Sequence, residues 1–189
     1  MDIEQMKKDL GGGNVFPIGE ENVVFAKYFT GECYLNMLTT ERVPVGLVTF
    51  APGTINAYHI HHKGGQILMV TGGRGWYQEE GKPARELKAG DVVNISPEVK
   101  HWHGAAKDSW FQHLAVEVPA EGASNEWLEF LPEEEYNKLP KSKKDGGLVS
   151  WQRSHRQREE MLWEHLPRSL HILTMTFCSE RTGITKILI

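Results

Sequence analysis

His59 and His61 stand two apart in the run Ala57-Tyr58-His59-Ile60-His61-His62-Lys63-Gly64-Gly65-Gln66. Alternate side chains of an extended chain share a face, so both imidazoles point the same way and can fill adjacent coordination positions of a metal ion. Gly64-Gly65 lets the chain turn back, which brings Gln66 beside the pair. His101-Trp102-His103 follows 35 residues after Gln66. A third histidine and a carboxamide set alongside His59 and His61 can close round one divalent cation. His62 must point away from this group, because neighbours on a strand face opposite sides. His103 shares a face with His101 and is either a general acid or base beside an open coordination position or a hydrogen-bonded barrel residue. His113 is read either as a cavity residue, with Gln112 on the opposite face, or as a satisfied core histidine. All six histidines of residues 1–139 fall between positions 59 and 113, a clustering that favours the metal reading over scattered structural histidines.

These residues need a scaffold of strands. Short β-branched and aromatic runs predict strands at 23–29, 33–38, 45–50, 57–61, 66–71, 75–78, 85–87, 91–95 and 110–118. Turn signals at Ala51-Pro52-Gly53, Gly72-Gly73, Glu80-Gly81-Lys82-Pro83 and Lys88-Ala89-Gly90-Asp91 separate them. Many short strands with no helix between them imply an all-β antiparallel sandwich or barrel. Residues 1–22 read as a mobile N-terminal arm and 23–139 as the main domain. Beyond Pro119 the pattern turns helical: Ser124-Asn125-Glu126 looks like a cap before Trp127, Leu128 and Leu131 on one face, and Pro132-Glu133-Glu134-Glu135 opens a second short helix. Both are expected to cover an open sheet edge. Residues 140–189 begin as a linker and read as a basic tail, with even odds of lying outside the core. Trp76, Trp102 and Trp110 are expected in the barrel core or an interface, and Phe50, Tyr58 and Met69 share the same ambiguity between core and cavity.

A chain of 189 residues, 40% hydrophobic and 24% charged, suits one soluble domain with appendages. The acidic opening and the lack of a long apolar run predict a cytoplasmic protein. Cys33 and Cys178 are too few for a disulfide framework and are read as reduced thiols. Net charge is −4; residues 140–189 hold nine Lys/Arg against five Asp/Glu, leaving +4 there and −8 over residues 1–139. An acidic body argues against nucleic acid as a partner, because phosphate binding needs a cationic surface.

The spacing of Gly53, His59, His61 and Gly73 resembles the first motif of the cupin superfamily, with Gln66 where the usual Glu stands. A second motif begins at Gly90 and reaches His101, with Ser96, Glu98 and Ala105 replacing the usual Pro, Gly and Asn. The resemblance spans about residues 40–118. It implies a small double-stranded β-helix, or jelly-roll barrel, commonly dimeric or a higher homo-oligomer, holding one divalent metal by His59, His61, Gln66 and His101. The Gln-for-Glu exchange, the Ile67–Thr71 strand and Ser96-Pro97-Glu98-Val99-Lys100-His101-Trp102-His103-Gly104-Ala105 are similar to small bacterial manganese-dependent cupins with hydroxynitrile lyase activity. That likeness ends near Leu139. It implies manganese, with iron, zinc, nickel or cobalt also acceptable to the donor set. Where such lyases have a small hydroxyl residue, three positions before the first ligand, this chain has Asn56.

A neutral Gln in place of Glu leaves a bound cation its full +2 charge. Such a site is expected to be a stronger Lewis acid, to favour anionic ligands, and to suit addition, elimination or isomerisation better than oxygen chemistry. In the family-implied instance, cyanohydrin cleavage, His103 takes the hydroxyl proton and Asn56 holds the substrate. The alternatives are a dioxygenase on a small aromatic or enol substrate, and a non-catalytic module that binds a metal or small molecule.

Overall fold

The computed structural model describes residues 3–11 and 15–141. The segment read as a basic tail lies, from residue 142 on, outside the described residues. Ten strands form one strongly curled sheet, every ladder in it antiparallel. They are β1 (Glu20–Glu21), β2 (Cys33–Thr39), β3 (Val45–Phe50), β4 (His59–His62), β5 (Gln66–Glu79), β6 (Arg85–Lys88), β7 (Val92–Ile95), β8 (His101–Ala105), β9 (Phe111–Glu117) and β10 (Ser124–Trp127). Their order is β1-β2-β3-β9-β5-β8-β4-β10, with β6 and β7 also pairing β5. This is the expected all-β barrel. No helix among the described residues is long and apolar enough to cross a membrane.

The long strand β5 explains the curl. Its first half pairs with β7 and β9, its second with β6 and β8. The two halves were expected as separate strands split by a turn at Gly72-Gly73. Instead the chain bends there without breaking, with a register shift between Val70 and Gly72. Gly73 has φ of 72°, and a Cβ on it would run into the Trp110 carbonyl, so only glycine lets β5 bend this close to β9.

Burial follows the curl. Phe50, Leu68, Leu87, Ile95 and Phe111 fill one end of the barrel; Ile55, Tyr58, Trp76, Trp102 and Tyr136 fill the seam beneath α2 (Glu133–Lys138). Trp76, Trp102 and Trp110 are all buried, whereas Met69 is exposed.

Three local expectations are corrected. Residues 23–29 form no strand but bends and a single 3-10 turn at Ala26–Tyr28. Residues 124–127 are not a helix but β10, because its backbone finds a free edge of β4, pairing Trp127 with His59 and Asn125 with His61. The second short helix is present, as α2, with three glutamates in its first turn. Residues 3–9, read as part of an arm, form α1 (Ile3–Asp9). Met6 and Leu10 are buried against Ala51 and Trp110, and the Asp9 carboxylate accepts the Trp110 backbone N–H at 3.0 Å.

Candidate metal centre

β4 and β8 are antiparallel neighbours with His59 opposite His101, so the pairing brings a third imidazole to the His59/His61 face. One nitrogen from each of His59, His61 and His101 lies within 4.8 Å of the others, and all three rings are buried. In each ring Nδ1 is tied down: His59 donates to the Ala57 carbonyl at 3.0 Å, His101 to that of Val99 at 2.9 Å, and His61 to Asn125 Oδ1 at 2.8 Å. A ring that donates from Nδ1 keeps its lone pair on Nε2. Nε2 of His61 and of His101 is buried without a partner. Burial pushes both His59 and His101 down, with the neighbouring imidazoles adding to it for His59, and His101 falls to about 4. Three buried imidazoles with one nitrogen each this close together are suited to a divalent cation.

Gln66 lines the same cavity. Its Nε2 donates to Glu117 Oε1 at 2.6 Å, while its Oε1 is buried without a partner. A carboxylate only accepts, so this bond fixes the amide with its nitrogen toward Glu117 and its oxygen free. The donor set expected from sequence therefore fits a divalent cation: three orphaned or available imidazole nitrogens and one orphaned carbonyl oxygen.

Glu117 alters the charge argument. Its Oε2 lies 3.1 Å from His61 Nδ1, and the Asn125 side chain also bonds it. Burial raises its carboxyl, but hydrogen bonds from His61, Gln66 and Asn125 outweigh this and hold it below the usual carboxylate range. The negative charge missing from position 66 thus stands one bond further out. The expectation that a cation here keeps an undiluted +2, and so favours anionic ligands, is corrected.

His103 and Asn56 meet at the cavity wall. Asn56 Oδ1 accepts the His103 backbone N–H at 2.9 Å, which leaves the amide nitrogen facing His103 Nε2 at 3.1 Å. Since a backbone N–H can only donate, Nδ2 donates to Nε2, and the ring proton sits on Nδ1, which has no partner. Burial, with His113 and the other imidazoles, holds His103 well below the ordinary histidine value. His113 is no satisfied core histidine. It is buried, lacks a partner at both nitrogens, and burial pushes it down to about 3. Its ring packs against both Phe50 and Phe111 and edge-on to His103 at 4.9 Å. His62 points out, as expected, between Glu98 and Glu126.

The cavity encloses about 400 Å³. Phe25, Phe29, Phe50, Val48 and Trp127 supply its apolar wall, and Trp127 stacks on His59 at 4.8 Å and on Tyr28 at 4.5 Å. The sequence reading missed Trp127, Asn125 and Glu117. The first two were assigned to a helix. Glu117 carried a signal: it lies four residues beyond His113, hence on the same face of a strand.

The comparisons agree with this geometry. A model of the Cupin_2 family, the cupin domain, matches residues 46–116. The chain is 40% identical over 117 residues to an (R)-mandelonitrile lyase of Granulicella tundricola, covering 60% of this chain and 88% of the relative. A cupin-like protein from Thermotoga maritima, known from its crystal structure, is 43% identical with a TM-score of 0.64, covering 69% of this chain and all of its own.

Proposed function

Because this chain belongs to the cupin superfamily, we propose that it is a metal-dependent carbon–carbon lyase cleaving cyanohydrins, as a hydroxynitrile lyase does. The observation that carries this reading is the convergence of unpartnered Nε2 and Oε1 atoms beside a neutral His103 held by Asn56. A divalent cation held by His59, His61, Gln66 and His101, manganese first and iron, zinc, nickel or cobalt as alternatives, would supply Lewis acidity to a substrate oxygen.

The remaining work falls to the chain's own groups. Nε2 of His103 carries the lone pair, so a substrate hydroxyl that displaces Asn56 Nδ2 there gives up its proton to that nitrogen. The O–H electron pair becomes the carbonyl bond, and the bond to the nitrile carbon breaks with its pair leaving on cyanide. Cyanide then takes the proton from Nε2 and departs as hydrogen cyanide. Asn56 Nδ2, released from the ring, donates to the substrate oxygen. The aromatic wall of Phe25, Phe29 and Trp127 receives the aryl group and keeps water from the reacting carbon.

Incubation of the manganese-loaded protein with (R)-mandelonitrile tests this. Benzaldehyde release well above that of a His59→Ala control is expected; equal release from the two would overturn the reading. A homodimer or higher homo-oligomer belongs to the same reading through the family resemblance, and sedimentation of the full chain measures it.

A further inference from the structure

Nineteen of the described residues line the cavity, and among them there is no lysine and no arginine. Sites for carboxylates or phosphates supply a guanidinium, an ammonium or a helix N-terminus against the anion. This wall offers none of these from the residues that form it. Its one formally charged side chain is Glu117, which is 34% exposed and carries the wrong sign. Both carboxylate oxygens are engaged, Oε1 by Gln66 at 2.6 Å and Oε2 by His61 at 3.1 Å. The charge is therefore fixed in place, next to two of the residues that converge on the metal position. The rest of the wall is apolar or neutral, from Leu35, Pro44 and Val48 round to Phe25 and Trp127.

We propose that Glu117 is a specificity-determining residue that weakens the hold of the metal position on carboxylates and other anions, and so shifts the cavity's preference toward neutral ligands with a hydroxyl, carbonyl or nitrile end and an apolar or aromatic body. The inference rests on the metal position described above but not on turnover, so it stands or falls apart from the lyase reading. Its physical content is a local one. Glu117 offsets one of the two positive charges a divalent cation would bring there, and its repulsion acts on an anionic ligand at the metal position but not on a neutral ligand of the same shape.

Mandelamide and mandelate share a skeleton and a hydroxyl and differ in charge. Each is titrated by calorimetry into the full-length protein at saturating manganese, with metal content measured alongside. Glu117→Gln is expected to tighten mandelate about tenfold and leave mandelamide within about twofold. The paired exchange Glu117→Gln with Gln66→Glu returns the charge to the same wall and should push mandelate affinity back toward the wild-type value. A mandelate-to-mandelamide affinity ratio unchanged by Glu117→Gln overturns the proposal, as does a paired exchange that binds mandelate as tightly as Glu117→Gln alone. Absence of benzaldehyde release together with the expected shift in ratio would instead remove only the lyase reading.

Discussion

The two faces of β9 are buried alike and differ in how their polar groups are served. On one face Gln112, 3% exposed, donates from Nε2 to Thr49 Oγ1 at 3.0 Å and accepts from Thr71 Oγ1 at 2.9 Å. On the other, His113 is fully buried with both nitrogens unpartnered, and Glu117 turns toward the histidines of the cavity. Buried polar groups in folded proteins are nearly always hydrogen-bonded, so a single orphan calls for an explanation. Here orphans at His61, Gln66, His103 and His113 line one cavity, that of His101 lies on the strand beside His59, and the satisfied network lies one residue away along the same strand as His113. Burial of polar side chains is thus no mark of function in this barrel. Burial without a partner is.

The largest effect should come from the unsatisfied side. His101→Ala removes one of three convergent imidazoles, and elemental analysis should find little metal retained. Lyase activity should fall by at least about 100-fold. Chelation should lower the melting temperature of the wild type, because a cation at about 100 times its Kd adds about 2.7 kcal/mol to the folded state. The same chelation should leave His101→Ala unmoved. A full equivalent of metal in His101→Ala would break the contrast between the two faces.

The satisfied face should respond in stability alone. Gln112→Leu strands the buried hydroxyl of Thr49 and should cost about 2 kcal/mol by chemical denaturation, with metal content unchanged. Adding Thr49→Val should recover part of that loss, since removing both partners of a buried bond is cheaper than removing one. Metal loss in Gln112→Leu would show that the two faces are coupled.

How much of this contrast was legible in the sequence depends on the range of the contacts. His59, His61 and Gln66 are close in the chain, and strand alternation with a Gly-Gly turn sufficed to bring them together. The rest comes from pairing between distant strands. Glu117 reaches Gln66 because β9 lies beside β5 with those two residues in register. Asn125 reaches His61 because β10 adds to the edge of β4. Ser124-Asn125-Glu126 favours a helix cap locally, and the open strand edge overrides that preference. His101 was found through motif spacing, yet β8 itself was absent from the expected strands, because Trp102 and His103 have no apolar alternation: all five of its residues are buried.

A smaller effect should follow at Asn56, which belongs to neither class, since it is a buried polar group whose bonds serve an unsatisfied neighbour. Asn56→Ala frees His103 Nε2 from its donor, so the ring is no longer held in one tautomer. Metal content should stay at the wild-type level while kcat falls about tenfold. An unchanged kcat would remove Asn56 and the Nε2 base from the proposed reaction together.

The smallest effect tests the satisfied class away from β9. Tyr136 on α2 donates its hydroxyl to the Ala105 carbonyl at 2.8 Å, closing the seam that covers Trp102. Tyr136→Phe should cost about 1 kcal/mol at neutral pH without touching metal content. The sign of its pH dependence is fixed by burial, which pushes the hydroxyl up to about 12 from an ordinary value of 10. The folded state therefore holds this proton more tightly than the unfolded chain. Its stabilisation is fully present below pH 10 and drains away as pH rises through about 12. The melting-temperature gap between wild type and Tyr136→Phe should accordingly be flat from neutral pH to about pH 9 and shrink above pH 10. A gap that stays flat through about pH 12 would mean that the phenol is served by solvent rather than by Ala105. The satisfied class would then lose the member that ties the covering helix to the barrel.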